Sequence, residues 1–261
     1  MSILLDAERI DISTGTRQRI EEPVAMEAPV NVYINGNYVI TLLSTPRLQR
    51  ELAVGWLFDE GVLRSWEEIE GIILRRNNVR VTTKNPLPEE RLSVVGMTRI
   101  LTTACGLSIN KFLKVIKQKC KDPIKSDYTV EARGILRMVK NLDEIAELFK
   151  ATGGTHAAAL FEEGELKASA EDIGRHNAMD KTIGIAVEEG VNFSRCTLIS
   201  SGRQPADMVL KAVNMGIPIL ATKASPIRSG IIAAKKTGIT LICFVRQHRM
   251  NVYTHNDRIL T

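Results

Sequence analysis

Cys105 lies in Thr102-Thr103-Ala104-Cys105-Gly106-Leu107-Ser108, a run of small and polar residues that reads as a loop. The residues that follow, Ile109 to Lys117, read as a basic amphipathic helix. A thiol just before a helix start meets the positive end of the helix dipole, and Lys111 and Lys114 add positive potential beside it. Both effects favour the thiolate, the form that does sulfur chemistry. The alternative reading is a small buried residue, the usual fate of an intracellular cysteine. Cys196 and Cys243 sit in apolar strand-like runs and read as core, whereas Cys120, after the lysine-rich helix, reads as a second accessible thiol. The four cysteines form no CxxC pair, which points away from a zinc ribbon and from a disulfide framework.

A second group of residues suits anions. In an open α/β sheet, ligands collect at the carboxyl ends of the strands, beside helix amino termini. Three segments are expected there: Ser200 to Pro205, Lys223 to Gly230, and Phe244-Val245-Arg246-Gln247-His248-Arg249. They carry Arg203, Lys223, Arg228, Arg246 and Arg249, cations suited to phosphate oxygens. The alternative is a set of solvated loops rich in turn formers. Thr152-Gly153-Gly154-Thr155-His156 and Glu171-Asp172-Ile173-Gly174-Arg175-His176-Asn177 place His156 and His176 beside glycines that permit close backbone approach. Asp172 also reads as a cap for the helix after it, and Asp180 and Lys181 read as helix-surface charges.

The elements that must position these residues are legible from pattern. Asn35-Gly36 between two alternating runs predicts a hairpin within residues 24–43. Pro46 is expected to open a helix carrying Leu48, Leu52, Trp56 and Leu63 on one face, followed by strands at 71–75, 78–83 and 91–95. The polar stretch at 121–128 suggests a boundary, dividing an N-terminal α+β subdomain, 1–125, from an α/β domain, 126–261. In the second half, Glu131–Lys150 reads as helix and His156–Phe161 with Leu166–Ser169 as a hairpin. Helices at 176–189, 205–215 and 226–237 alternate with strands at 197–200, 217–221 and 239–245. That alternation predicts a largely parallel sheet covered on both faces.

Composition narrows the class. The 261 residues are 44% hydrophobic and 25% charged, as in an ordinary soluble protein. No apolar run approaches the roughly 20 residues of a membrane span, and Met1 to Glu8 resembles no signal peptide, so a cytoplasmic protein off the membrane is expected. The net charge of +5 suits an anionic ligand, but only 5% aromatic content and no basic cluster with interleaved aromatics leave no nucleic acid partner expected. A hairpin, a helix and repeated strand–helix units follow the order of cytidine-deaminase-like folds. A zinc deaminase needs a Pro-Cys-x-x-Cys at the next helix start. Here that place reads Gln204-Pro205-Ala206-Asp207-Met208, so no metal site is expected.

Several motifs in one order then carry a resemblance: Glu22-Pro23 with Pro29-Val30, Thr152 to Ala158, Glu171 to Asn177 with Asp180-Lys181, and Val252-Tyr253-Thr254-His255. From about Glu21 to His255 the chain resembles the FdhD family of formate dehydrogenase accessory sulfurtransferases. The resemblance implies a cytidine-deaminase-like three-layer α/β sheet whose N-terminal subdomain carries a mobile cysteine loop. It implies persulfide sulfur taken from a cysteine desulfurase and passed to the molybdenum or tungsten bis-molybdopterin guanine dinucleotide cofactor destined for formate dehydrogenase. A guanine nucleotide would mimic that cofactor, and a homodimer is implied. The family's Cys-Gly-x-Cys motif falls on Cys105, with Ser108 in place of the second cysteine. One thiolate carries a persulfide; a two-cysteine relay is what the departure puts in doubt. The family's cofactor-binding stretch falls on Phe244 to Arg249, with Val245-Arg246-Gln247-His248 replacing its usual interior. Arg203, Lys223 and Arg228 are the other phosphate candidates, with His156 and His176 orienting the cofactor or moving protons. The competing class is a chaperone that binds cofactor and client enzyme without sulfur chemistry. A deaminase-fold hydrolase would need a metal or base that the sequence does not offer.

Overall fold

The computed structural model describes residues 1–92 and 123–261; Cys105, Ser108, Cys120 and the helix expected after Cys105 lie outside the described residues. The chain begins with an antiparallel ribbon, β1 (Ser2–Ile10) and β2 (Arg17–Ala25), with Ser2 opposite Ala25 and Ile10 opposite Arg17. Every residue of β1 is exposed. Asp11 closes the turn by accepting from the Ser13 and Thr14 amides at 2.8 and 3.2 Å.

The Asn35-Gly36 hairpin forms as expected, joining β3 (Ala28–Ile34) to β4 (Asn37–Ser44). Both turn residues have positive φ, 48° and 81°, the backbone of a two-residue turn whose twist matches its strands. Helix α1 (Gln49–Asp59) starts three residues after Pro46 rather than at it. Thr45 is held by Asp172 and Lys181, and Leu48 turns the chain with a φ of 56° before the helix begins. The strands β5 (Ile69–Arg75) and β6 (Asn78–Thr83) complete a sheet ordered β4-β3-β6-β5. The strand expected at 91–95 is not one where it is described: residues 89–92 are helical, and 93–95 lie outside the described residues.

After β7 (Val130–Glu131) come α2 (Ala132–Ile145) and α3 (Glu147–Thr152), then the hairpin of β8 (His156–Glu162) and β9 (Glu165–Asp172). The rest alternates: α4 (Arg175–Glu188), β10 (Cys196–Ser200), α5 (Ala206–Asn214), β11 (Ile219–Thr222), α6 (Arg228–Thr237) and β12 (Thr240–Arg246). The short β13 (Arg249–Val252) and β14 (Ile259–Leu260) follow, β14 pairing with β7. The six-stranded sheet runs β13-β12-β11-β10-β8-β9. Only the neighbouring pairs β10–β11 and β11–β12 are parallel, because hairpins add antiparallel pairings on both sides; the expected largely parallel sheet is a mixed one.

Side chains along each central strand alternate between two cores, as a period of two requires. Ala157, Ala159, Phe161, Ile199, Ile219, Ala221 and Ile242 pack with Ile135, Met138 and Leu142 of α2. Ala158, Leu160, Leu198, Leu220 and Leu241 face the other way, onto residues of α4, α5 and α6. Three layers result. The second core continues through Leu52 and Trp56 of α1 to Val30, Val32 and Val79, so the four-stranded sheet shares it.

Helices α1 and α4 cross with their backbones in contact. A Cβ on Gly55 would sit 1.7 Å from the Asp180 carbonyl oxygen, and one on Gly184 would sit 2.0 Å from that of Glu51. No other residue type fits this crossing. Cys196 and Cys243 are fully buried, as expected of core residues, and burial pushes both thiols up to about 12. Neither is a thiolate at neutral pH. Native protein treated with iodoacetamide at pH 7.5 is therefore expected to keep both unmodified in peptide mass maps, with alkylation only after denaturation.

Candidate strand-end site

The carboxyl ends of β10, β11 and β12 open at one edge of the sheet. Strand β8 runs the other way, which brings its first residue, His156, to the same edge, opposite Asp172 at the end of β9. The chain then enters α4 with Arg175 and His176. The two histidine motifs, fifteen residues apart in sequence, thus meet because a hairpin connects them.

His156 Nδ1 is 3.2 Å from Ser201 Oγ, and that hydroxyl accepts from the Ala157 amide at 3.0 Å. Burial, with the charges of Arg175, His176 and Arg203, holds the His156 imidazole below its ordinary value. That favours the neutral ring, whose Nδ1 shares one hydrogen bond with the Ser201 hydroxyl in a direction set by the tautomer. Arg175 packs over Gly202, where a Cβ would come within 2.9 Å of it, and its Nε is buried without a hydrogen-bond partner among the described residues. His176 Nε2 lies 3.0 Å from Asp207 Oδ2. His156, Arg175, His176 and Arg203 gather in one cup whose fixed charges are the two guanidiniums.

The next strand end supplies Lys223, paired with Asp143 and 5.8 Å from the Phe149 ring centroid. Arg246 donates to the Lys223 carbonyl at 2.6 Å. Phe244 has a φ of 53° and donates its amide to the Ala224 carbonyl at 3.0 Å, fixing a bulge that throws Arg246 outward. Val245 is buried against the core below α2, while Arg246, Gln247, His248 and Arg249 are exposed around the turn into β13. Arg203 is also exposed, and so is Arg228 at the first residue of α6. His156, Ser201 and Lys223 line a cavity of about 410 Å³ with Gly153, Gly154 and Thr155. A neighbouring cavity of about 420 Å³, between Arg47 and Glu171, shares its Leu142 and Ala157 walls. Both volumes suit small ligands.

Two charges expected on the surface are instead buried. Lys181 is 0% exposed, 2.6 Å from Asp172 and 2.7 Å from Thr45 Oγ1. Asp172 takes further hydrogen bonds from Thr45, Gly174 and Asn177, so it knots β4, β9 and α4 together rather than capping α4, which begins after Gly174 without a side-chain cap. Asp180 is 1% exposed and 3.0 Å from Lys211. Reading the sequence passed over Arg175, Asp207 and Lys211 as site elements. The available signal was the matched spacing of His176 with Asp180 and of Asp207 with Lys211, which sets each pair on one helix face. Among the described residues no group of three His, Cys, Asp or Glu could hold a metal ion.

Fold and site together define a mixed α/β protein that gathers anion-binding groups at the carboxyl edge of its larger sheet. The FdhD/NarQ family pattern matches residues 25–260. Sulfur carrier protein FdhD of Methanothermobacter thermautotrophicus is 35% identical over 257 residues, 98% of either chain. That of Shouchella clausii is 33% identical over 94% of this chain and 92% of its own. The crystal structure of a protein described as a formate dehydrogenase accessory protein, from Desulfotalea psychrophila, superposes with a TM-score of 0.79 at 27% identity over 99% of both chains. The chain belongs to the FdhD/NarQ family.

Proposed function

We propose that this protein is a persulfide-type sulfur carrier serving a formate dehydrogenase. Near-full-length similarity to proteins named sulfur carrier protein FdhD is the observation that carries the reading. Cys105 thiolate attacks the outer sulfur of a cysteine desulfurase persulfide; a new S–S bond forms on Cys105 and the desulfurase thiolate leaves. The outer sulfur is then passed to the bis-molybdopterin guanine dinucleotide cofactor of molybdenum or tungsten: the S–S bond breaks, two electrons from the reduced metal leave the transferred sulfur as sulfide, and Cys105 is released as thiolate. The cofactor is cargo. Its several phosphates suit the cup of His156, Arg175, His176 and Arg203 with Lys223 and Arg246 beside it. The order β9-β8-β10-β11-β12-β13 supports a cytidine-deaminase-like scaffold for residues 126–261.

The alternative is a chaperone that binds cofactor without carrying sulfur. The experiment is intact-protein mass spectrometry after incubation with a cysteine desulfurase and cysteine, wild type against Cys105→Ala. A reducible gain of one sulfur atom, absent from the variant, is expected. No gain with an active desulfurase would establish the chaperone reading instead.

A further inference from the structure

Helices α4 and α5 are joined by two rungs at the same spacing. His176 and Asp180, four apart on α4, meet Asp207 and Lys211, four apart on α5, each pair at 3.0 Å. The inner rung is buried, and Lys211 is held there also by Asp59 at 2.7 Å and Glu60 at 3.1 Å from the end of α1. The outer rung lies at the mouth of the strand-end cup.

Asp207 is built to hold one ring. Its Oδ1 accepts from the Met208 amide at 3.0 Å, leaving Oδ2 for His176 Nε2. The inner rung, with no freedom to turn in the core, prevents α5 from rotating Asp207 away. His176 Nδ1 has no protein partner among the described residues, and the ring is near enough to His156 to act on it electrostatically.

We propose that Asp207 is the positioning residue of the site: it fixes the His176 ring by Nε2, so that the imidazolium form of the ring presents Nδ1–H to an anionic ligand. Only the ligand part of this inference rests on the function proposed above.

The groups facing His176 set the sign of the effect. Asp207 favours the imidazolium, with Asp180 further along the same helix. Arg175 on its own helix, His156 on β8 and Arg203 after β10 are the other charged or titratable groups of the cup, and Lys211 acts on Asp207. Burial pushes the Asp207 carboxyl up, but the hydrogen bond and charge of His176 outweigh that and bring it below its ordinary value. Asp207→Asn removes the charge that touches the ring at Nε2, so the imidazolium is less favoured in the variant than in the wild type.

The test uses full-length protein and two probes, pyrophosphate and guanosine diphosphate. Calorimetry across pH 5.5–8.5 is expected to show binding that weakens as pH rises. Asp207→Asn moves that decline to lower pH and weakens binding at pH 7 roughly tenfold, the worth of one charge-assisted hydrogen bond. Asp207→Glu restores most of both. In parallel, NMR follows the His176 ring without ligand, assigned with His176→Gln. An unmoved His176 midpoint in Asp207→Asn overturns the proposal whether or not a probe binds. Wild-type ring spectra keep the test open if that variant does not fold: at high pH they must show Nε2 protonated toward Asp207, and a pure Nδ1–H tautomer overturns the proposal. If the midpoint moves but neither probe binds wild type, the positioning role stands and the anion site falls.

Discussion

Replacing Lys211 with methionine is expected to cost about 3–5 kcal/mol of folding stability, the range for stripping the partner from a buried charge. Lys211 is 5% exposed, and its ammonium lies 2.7, 3.1 and 3.0 Å from Asp59, Glu60 and Asp180. Methionine fills much of the same volume, so the loss reports charge and not a cavity. Urea denaturation at pH 7 measures it. Burial and the Asp180 charge hold the Asp59 carboxyl well above its ordinary range, so the cluster keeps a proton that the unfolded chain releases. The sign follows from linkage: a raised carboxyl value gives stability that is full below the unfolded value and lost as pH rises toward the folded one. Asp59→Asn removes that loss. Its stability relative to wild type is expected to grow as pH is raised from 4 toward 8; a flat difference would place the proton elsewhere.

Gly184→Ala should be as severe for a different reason. Alanine is the better helix former by about 1 kcal/mol, yet here its methyl would lie 2.0 Å from the Glu51 carbonyl oxygen. That oxygen belongs to a helix backbone, so relief requires α1 and α4 to move apart and to loosen the core they share. A loss of roughly 3 kcal/mol or more is expected, beyond ordinary overpacking. Thermal melting would read it as a fall of about 6–12 °C. Gly55→Ala is the companion at the same crossing. Because either methyl forces the same separation, the double variant should cost less than the two single losses added. Simple additivity would mean that the two contacts are independent.

Local signals in the sequence were strong where neighbours in the chain decide the outcome. Asn35-Gly36 marked its hairpin, and the apolar runs around Leu198, Leu220 and Leu241 marked the parallel strands. The strand-end loops followed from that topology, so Arg203, Lys223 and Arg246 were readable as a group. What escaped depends on partners distant in sequence. Asp180 and Lys181 look like surface charges on a helix because the groups that neutralise them are Lys211 on α5, Asp172 on β9 and Thr45 after β4. His176 meets Asp207, thirty-one residues on, a pairing that only the matched spacing of the two helices hints at. The ribbon of β1 and β2 escaped for the opposite reason. Ile3 and Leu5 point to one face and Leu4 and Ile10 to the other, with charges between, so no buried face imposes an alternation.

That ribbon also says where this architecture tolerates growth. Its strands bond to each other, its tip from Asp11 to Thr16 is closed by its own side chains, and it lies ahead of the stretch that matches the family pattern. Residues added at the tip would lengthen an outrigger without altering any layer beneath the strand ends. A fused domain, an affinity peptide or a surface anchor attached at the tip would ride outside the two sheets, whereas the base of the ribbon must stay as it is, because Met1 lines the second cavity and Ala25 lies beside Gly154.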